Sequence, residues 1–292
     1  MGIDAAQVKE LRERTGAGMM DCKRALQEAG GDLDSAVEVL RKAGQAKADK
    51  KASRVAAEGR VVMASDPSAG RHVIVEINSE TDFVAKDENF LSFADLVGDT
   101  ALAQAPADLE GLMSAKVDGE TLESLRTALV AKVGENIAVR RFELLESAGN
   151  VAAYSHMGRI GVLVDLEGGD EALAKDLAMQ VAARTPRYVS AENVPAAELD
   201  KEREILVAQA LAEGKPEEIV RKMVEGRLRK HIDEVTLTGQ EFVKDPDRRV
   251  RDLLKAAGAT VRRFVRYEVG EGIEKKTEDF ASEVMAQASK SG

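Results

Sequence analysis

The chain has 292 residues, which is enough for more than one compact domain because single hydrophobic cores seldom outgrow about 250–300 residues. Hydrophobic residues make up 44% of the sequence, but aromatic residues make up only 3% and Trp is absent, so Ala, Val and Leu must fill the interior. The formal net charge of −10 disfavours a general nucleic-acid binder and favours a folded protein partner.

The cysteine content and the first residues indicate a compartment. Cys22 is the single cysteine, so no intrachain disulfide can form, and this favours a reducing environment. The start of the chain has neither the apolar stretch of a signal peptide nor an Arg-rich transit peptide, and no run approaches the ~20 apolar residues of a membrane span. We therefore expect a cytoplasmic protein with no membrane partner.

Residues 1–45 predict a three-helix docking module. Asp4 is placed to cap a first helix, and the glycines of residues 15–18 end it. A second helix holds Met20 and Leu26 and ends at a Gly-Gly pair. The third helix shows the i, i+3, i+4, i+7 stripe of an amphipathic helix, in Leu33, Ala36, Val37 and Leu40.

Residues 46–58 follow as a basic linker. Within residues 41–54 only Asp49 opposes six basic residues: Arg41, Lys42, Lys47, Lys50, Lys51 and Arg54. Such charge runs are most often solvated helix faces, and this is the interpretation we favour. Contact with RNA is the alternative.

Residues 59–147 predict the first part of an α+β core. Alternating apolar residues on both sides of a turn at residues 66–70 predict a β-hairpin, because a strand places every second side chain on one face. Helical patterns follow at residues 89–103 and 120–133, and Gly134 ends the second.

The same plan recurs further along the chain. Residues 151–156 and 160–166 predict a second hairpin, followed by a helix over residues 171–184. Comparison of the two copies gives the first copy about seven extra residues between hairpin and helix, within residues 79–87. Function is commonly added in such an extended loop.

The second part of the core is predicted at residues 148–194 and 231–272, with antiparallel sheets expected in both parts, and a helical arm interrupts it at residues 195–230. Two antiparallel helices are predicted in the arm, with these apolar residues: Leu199, Ile205, Leu206 and Leu211 on the first helix, and Ile219, Val220, Met223 and Leu228 on the second. Such a pair buries little by itself, so the arm is expected to meet a partner or a second copy. A strand pattern at residues 261–269 precedes a C-terminal helical module at residues 273–292.

No catalytic constellation is visible in the sequence. Cys22 falls in a predicted helix, where a small buried side chain is the simplest interpretation. There is no GxxxxGK[ST] phosphate loop, and Lys275 stands where a GxGxxG fingerprint starting at Gly270 needs its third glycine. The histidines belong to no metal-binding motif: His72, His156 and His231. We expect no catalytic residues, no cofactor and no metal.

Three segments in the right order resemble the elongation factor Ts family nearly end to end. Residues 8–23 look like that family's N-terminal signature, residues 81–86 are similar to its exchange loop, and residues 264–275 resemble its C-terminal strand and turn. The arm is similar to that of the longer bacterial members.

The resemblance implies an architecture and a function. It implies an N-terminal module of the ubiquitin-associated type, a two-subdomain core, an antiparallel coiled arm and a C-terminal helix. It also implies a non-enzymatic guanine-nucleotide exchange factor that binds elongation factor Tu, both GDP-bound and nucleotide-free, displaces Mg²⁺ and GDP, and lets GTP load. Direct nucleic-acid binding is not expected. Whether the arm forms a homodimer, belongs to a two-plus-two complex or only braces the partner is left open.

The resemblance also implies roles for particular residues. Those associated with displacing Mg²⁺ from elongation factor Tu are Thr81, Asp82, Phe83 and Val84. The implied further partner contacts are His156, Met19 and Met20. Taken by itself, Phe83 is more often a plain core aromatic, but the extended loop and the resemblance together reverse that judgement. Without the resemblance, His156 is an exposed turn residue, and Met20 packs inside the three-helix module as readily as it meets a partner.

Two other functions are weighed against the exchange factor. A ribosome- or RNA-associated protein would use the basic segment 41–54 with the N-terminal module, and its RNA binding would depend strongly on salt. An enzyme is the least favoured, because no site assembles in the sequence.

Overall fold

A computed structural model of the chain describes residues 3–212 and 216–274. The described chain divides into two compact units, the first of residues 3–60, 75–142 and 268–274, the second of residues 61–74, 143–212 and 216–267. The boundaries between these units fall inside strands and do not coincide with the domain borders expected from the sequence. Those borders therefore remain a proposal. The expected C-terminal helix and most of the expected turn of the arm lie outside the described residues.

Helices and sheets are mixed along the chain, which confirms the α+β class. The α-helices are α1 (Ala5–Thr15), α2 (Met19–Glu28), α3 (Leu33–Lys51), α4 (Glu88–Gln104), α5 (Leu109–Ser114), α6 (Leu122–Val133), α7 (Glu171–Arg184), α8 (Ala196–Ala212), α9 (Glu217–Val235) and α10 (Val250–Ala256). The strands are β1 (Glu58–Asp66), β2 (Arg71–Ser79), β3 (Lys116–Val117), β4 (Glu120–Thr121), β5 (Ala138–Glu146), β6 (Asn150–His156), β7 (Ile160–Glu167), β8 (Glu241–Phe242), β9 (Asp245–Arg249) and β10 (Thr260–Glu268). No helix in the described ranges combines the length and the apolar character needed to cross a bilayer.

The first three helices form the expected small bundle. Asp4 caps α1 in a capping box with Gln7, and Gly16, at φ 65°, ends the helix because a left-handed cap costs glycine little. The bundle core consists of Leu11, Cys22, Ala25, Leu26 and Ala36. Helix α3 continues to Lys51, so the expected border at residue 45 falls inside a helix and residues 46–51 of the expected linker are helical.

Two three-stranded sheets carry the repeated plan. Their strand orders are β1-β2-β5 and β10-β7-β6, so in each case the second strand of a hairpin is central and a later strand joins beside it. Helix α4 follows the first hairpin and helix α7 follows the second. Strands β6 and β7 are antiparallel in the register Tyr154↔Val162. The two expected hairpins and their helices are confirmed.

Several elements are absent from the sequence-based prediction. Strand β5 completes the first sheet, and α5 with the short antiparallel pair β3-β4 lies between α4 and α6. The β8-β9 pair and α10 precede β10.

The arm is a helical pair, as expected, and some of the apolar residues noted on its helices face solvent. Ile205, Leu211 and Ile219 are exposed. The buried contacts come instead from Leu206, Ala210, Val220, Val224 and Leu228. Small residues such as Ala210 let two helices approach closely. The large apolar residues named from the sequence do not show which small residues lie at this contact.

A buried carboxylate holds the C-terminal turn to the first sheet. Glu76 of β2 is fully buried and accepts hydrogen bonds from Arg140 (3.0 Å), Arg141 (2.6 Å) and the Gly270 backbone N–H (2.8 Å). Burial by itself raises the pKa of Glu76, but the hydrogen bonds from Gly270, Asn78 and the two arginines together outweigh it, so the pKa lies below the usual value.

Candidate functional site

The connector between β2 and α4 is the candidate site, and it is a compact turn. The backbone N–H groups of Ala85 and Lys86 donate to the carbonyl oxygens of Thr81 and Phe83, at 3.3 and 3.2 Å, and a 3₁₀ turn spans Val84–Lys86. Asp87 then caps α4 by accepting from the Asn89 N–H at 2.9 Å. The loop therefore has a defined start, a defined turn and a defined end.

Glu135, just after α6, holds the start of the loop. Its carboxylate accepts from the Thr81 backbone N–H at 3.0 Å and from the Thr81 hydroxyl at 2.6 Å. The neighbouring Asn136 N–H donates to Glu80 at 2.6 Å. Hydrogen bonds to a charged group are among the stronger ones in proteins, so the base of the loop is fixed.

Phe83 projects from this fixed loop into solvent. Its side chain is 81% exposed, whereas Phe90 and Phe93 on the adjoining helix α4 are buried. The interpretation of Phe83 as a core aromatic is therefore wrong. A large apolar side chain held in water by an ordered turn is typical of a contact residue.

The other residues of the expected exchange loop are less exposed than Phe83. Thr81 and Val84 are half-buried, and the Val84 N–H approaches the Thr81 hydroxyl at 3.4 Å. Asp82 is about half exposed and forms an ion pair with Lys86 at 2.6 Å. The four residues expected to act together, from Thr81 to Val84, thus lie in one turn with Phe83 at its exposed point.

Met19 and Met20 open α2 and are 61% and 65% exposed. The helix buries Cys22, Ala25 and Leu26 at the i, i+3, i+4 spacing, and its first turn lies outside that packed stripe. The alternative that Met20 packs inside the bundle is therefore wrong. Both methionines present flexible apolar surface to solvent.

His156 lies at the end of β6, in the second unit, and is exposed. Its Nδ1 is 3.3 Å from the Tyr154 hydroxyl, and the two rings are stacked with centroids 6.4 Å apart. The following Met157 is 85% exposed and has a left-handed φ of 54°, next to Gly158 at φ 69°. The hairpin turn therefore exposes a further large apolar side chain, which the sequence reasoning did not select.

Three of the six basic residues of segment 41–54 have partners within the protein. Lys47 pairs with Asp21 at 2.8 Å, and this hydrogen bond lowers the pKa of Asp21. Lys51 donates to the Gly134 carbonyl, and Arg54 lies 3.5 Å from Glu80. These internal partners argue against a dedicated RNA-binding face on α3.

Cys22 and His72 are both buried and are not presented at the surface. Cys22 is fully buried, and burial raises the pKa of its thiol. His72 is buried with Nδ1 2.9 Å from the Ser65 hydroxyl, and burial lowers its pKa. Over the ranges that the structure describes, no cluster of three or more His, Cys, Asp or Glu side chains has the geometry to hold a metal ion.

The sequence reasoning missed the residues that support the loop. Glu135, Asn136 and Lys132 come from one short segment, and each contacts the loop or the first turn of α4. The contact between Glu135 and Thr81 joins residues 54 positions apart, so no local pattern announces it.

The chain was compared with known proteins, and it matches one family. Residues 80–271 match the family described as "Elongation factor TS". Proteins named elongation factor Ts are similar over nearly the whole length: 61% identity with that of Thioalkalivibrio sulfidiphilus and 60% with that of Alkalilimnicola ehrlichii, each covering 99% of both chains. The protein of that name from Xanthomonas oryzae pv. oryzae is 56% identical, again over 99% of both chains.

Proposed function

Because the chain belongs to the elongation factor Ts family, a family of translation elongation factors, we propose that it is a guanine-nucleotide exchange factor for elongation factor Tu. In this proposal the chain binds elongation factor Tu in the GDP-bound and nucleotide-free forms and displaces Mg²⁺ and GDP. GTP then loads. The chain itself catalyses no covalent reaction.

The observation that carries the proposal is Phe83, exposed on a loop whose base is fixed by Glu135. Fully burying a side chain of this kind contributes roughly 1.5–3 kcal/mol, which corresponds to about 10–150-fold in an equilibrium constant. Because the loop is already ordered, little of that energy is lost to immobilising it. Phe83 can therefore hold an element of the partner in a shifted position.

Asp82 can assist by competing for polar groups that position the nucleotide or its metal. The bound Mg²⁺ is the largest local charge in a GTPase site, so losing its coordination weakens phosphate binding. Asp82 now pairs with Lys86 on the surface, and an exposed ion pair is worth at most about 1 kcal/mol. Exchanging Lys86 for a group of the partner therefore costs Asp82 little.

Further contacts are assigned to Met19, Met20 and His156. The two methionines offer adaptable apolar surface. His156 offers a ring that stacks on Tyr154 at the end of β6, beside the hairpin turn. These contacts add affinity and leave the displacement of GDP to the loop.

Linkage makes the effects of the chain and of GDP on each other reciprocal, so the chain changes the rate of exchange and not its direction. A factor that weakens GDP binding by some ratio is itself bound more weakly by the same ratio when GDP is present. The chain therefore speeds exchange, and the nucleotide in excess determines which form of elongation factor Tu accumulates.

The test is release of labelled GDP from purified elongation factor Tu with and without this chain. We expect release to accelerate with chain concentration and to saturate. Equal release rates with and without the folded chain would overturn the proposal.

The oligomeric state is a separate question within the proposal. Exposed Ile205, Leu211 and Ile219 give the arm an apolar surface, which suits a second copy in a homodimer or two-plus-two complex, or the partner itself. Sedimentation of the chain alone and with elongation factor Tu distinguishes these assemblies from a one-to-one complex.

A further inference from the structure

The last turn of α6 and the residues just after it contact both ends of the loop that carries Phe83. We define the bracket as Lys132, Glu135 and Asn136. Glu135 and Asn136 hold the start of the loop at Thr81 and Glu80, and Lys132 donates to Asn89 at 2.6 Å in the first turn of α4. Both ends are therefore fixed by one short segment.

Gly134 gives the bracket its shape. It ends α6 with a left-handed φ of 82°, and its N–H bonds back to the Val130 carbonyl at 3.0 Å. This reversal turns the chain so that Lys132, in the last helical turn, and Glu135, beyond the cap, both face the loop. A residue with a Cβ would adopt this conformation only with strain.

The hydroxyl of Thr81 couples the bracket to the turn around Phe83. It has one hydrogen, which it donates to Glu135, and this orientation leaves a lone pair for the Val84 N–H at 3.4 Å. The Thr81 carbonyl accepts from the Ala85 N–H across the same turn. Phe83 lies between these bonds, so the carboxylate of Glu135 sets the geometry from which the ring projects.

We propose that Glu135 is a positioning residue for Phe83. It touches neither nucleotide nor partner in this role, which rests on the proposed exchange function. Glu135 accepts hydrogen bonds from the Thr81 backbone N–H and the Thr81 hydroxyl, and these bonds keep the loop in the conformation from which Phe83 inserts into the partner. Glu135 thereby raises the rate of GDP release without adding contact area.

The test uses Glu135→Gln in the full-length chain. The Thr81 N–H and hydroxyl donate to different oxygens of Glu135, and the amide has an NH₂ group in place of one of them, so one of the two hydrogen bonds is lost in this geometry. We expect the maximal stimulated rate of GDP release to fall about tenfold, in line with loss of one hydrogen bond to a charged group, with little change in the concentration that gives half-maximal stimulation. The matched control is Glu110→Gln on α5, an exposed glutamate whose substitution should leave the rate unchanged.

Repeating the substitution in the Phe83→Ala variant separates a positioning role from general structural support. If Glu135 acts through Phe83, Glu135→Gln should cause no further loss when Phe83→Ala is already present. An equal fold-loss in both backgrounds, or a wild-type rate for the single variant, overturns the inference. Failure of the wild-type chain to stimulate release would instead overturn the proposed function.

Thr81→Val covers the case in which Glu135→Gln does not fold. It removes the hydroxyl bond to Glu135 and leaves the backbone bond in place. We expect a several-fold slower maximal rate that again depends on the presence of Phe83. A rate equal to wild type would contradict the positioning role.

Discussion

The two hairpin-and-helix repeats share a plan but expose apolar side chains at different places. In both, a later strand joins the sheet beside the second hairpin strand, and the helix ends in a left-handed residue, Ala105 or Thr185, at φ 45°. The first repeat exposes Phe83 in the connector between strand and helix. The second exposes Met157 in the hairpin turn.

The connectors explain the difference. Eight residues separate β2 from α4, whereas only three, 168–170, separate β7 from α7. Gly168 has a φ of 70°, and a Cβ there would lie 2.7 Å from the Gly258 carbonyl oxygen, so the second connector is confined. The same strand order therefore accommodates connectors of different length between strand and helix, and the longer connector exposes a large side chain.

The largest expected effect contrasts two phenylalanines of the first repeat. Phe90→Ala should lower the free energy of unfolding by about 3–5 kcal/mol because it empties a fully buried site. Phe83→Ala should change it by less than about 0.5 kcal/mol because that ring is in solvent. Urea unfolding measures both, and similar losses for the two variants would show that Phe83 packs in the folded chain.

A second comparison concerns the buried carboxylates of the two central strands. Glu76 on β2 faces two arginines, whereas Asp165 on β7 accepts from the Ser147 hydroxyl at 2.7 Å. Glu76→Gln should cost about 3 kcal/mol, since it removes the charge of a fully buried carboxylate that both Arg140 and Arg141 contact. Asp165→Asn should cost about 1 kcal/mol. A smaller loss for Glu76→Gln than for Asp165→Asn would contradict this ranking.

The same carboxylate predicts a pH dependence. The folded pKa of Glu76 lies below the unfolded value of about 4.3, so its contribution is present above that pH and is lost as the pH falls through the folded pKa. Unfolding experiments across the acid range should show a shallower loss of stability for Glu76→Gln than for wild type. Parallel curves would mean that other carboxylates account for the acid sensitivity.

The smallest expected effect concerns Met157 in the turn of the second hairpin. Met157 has a left-handed φ of 54°, and glycine adopts that conformation without strain, so Met157→Gly should raise the free energy of unfolding by about 0.5–1 kcal/mol. Thermal unfolding measures the change. Phe83 has an unstrained φ of −65°, so Phe83→Gly should show no such gain. A gain at both positions would show that relief of the left-handed conformation is not what stabilises Met157→Gly.

Local signals explain what the sequence predicted well. Helix α7 is bounded by the Asp170 cap and carries a regular apolar stripe, both readable within fifteen residues. Strand β5 was missed because Arg140 and Arg141 interrupt its apolar alternation. Their partner, Glu76, lies 64 and 65 positions away, so only the folded structure reveals why two arginines fit in a strand.

The position of the candidate site in the chain was predictable from the sequence, but the residues that hold its loop in place were not. The connector length and the family resemblance selected residues 79–87 and Phe83, although composition alone favoured a core aromatic. Glu135 carried no signal, since a glutamate after a helix-ending glycine is ordinary, and its role depends on a contact across the fold. The exposure of Met157 likewise depends on a backbone conformation that methionine rarely adopts.

The most direct test of the central claim compares binding to elongation factor Tu with its pocket empty and with GDP bound. The account predicts that wild type prefers the empty form and that Phe83→Ala weakens binding to that form by about 30-fold while affecting the GDP-bound form little. Val243→Ala, an exposed residue between β8 and β9 to which no partner contact is assigned, serves as the matched control for loss of apolar surface. Equal weakening of both forms by Phe83→Ala, or no preference in wild type, would contradict the claim that Phe83 stabilises the emptied GTPase.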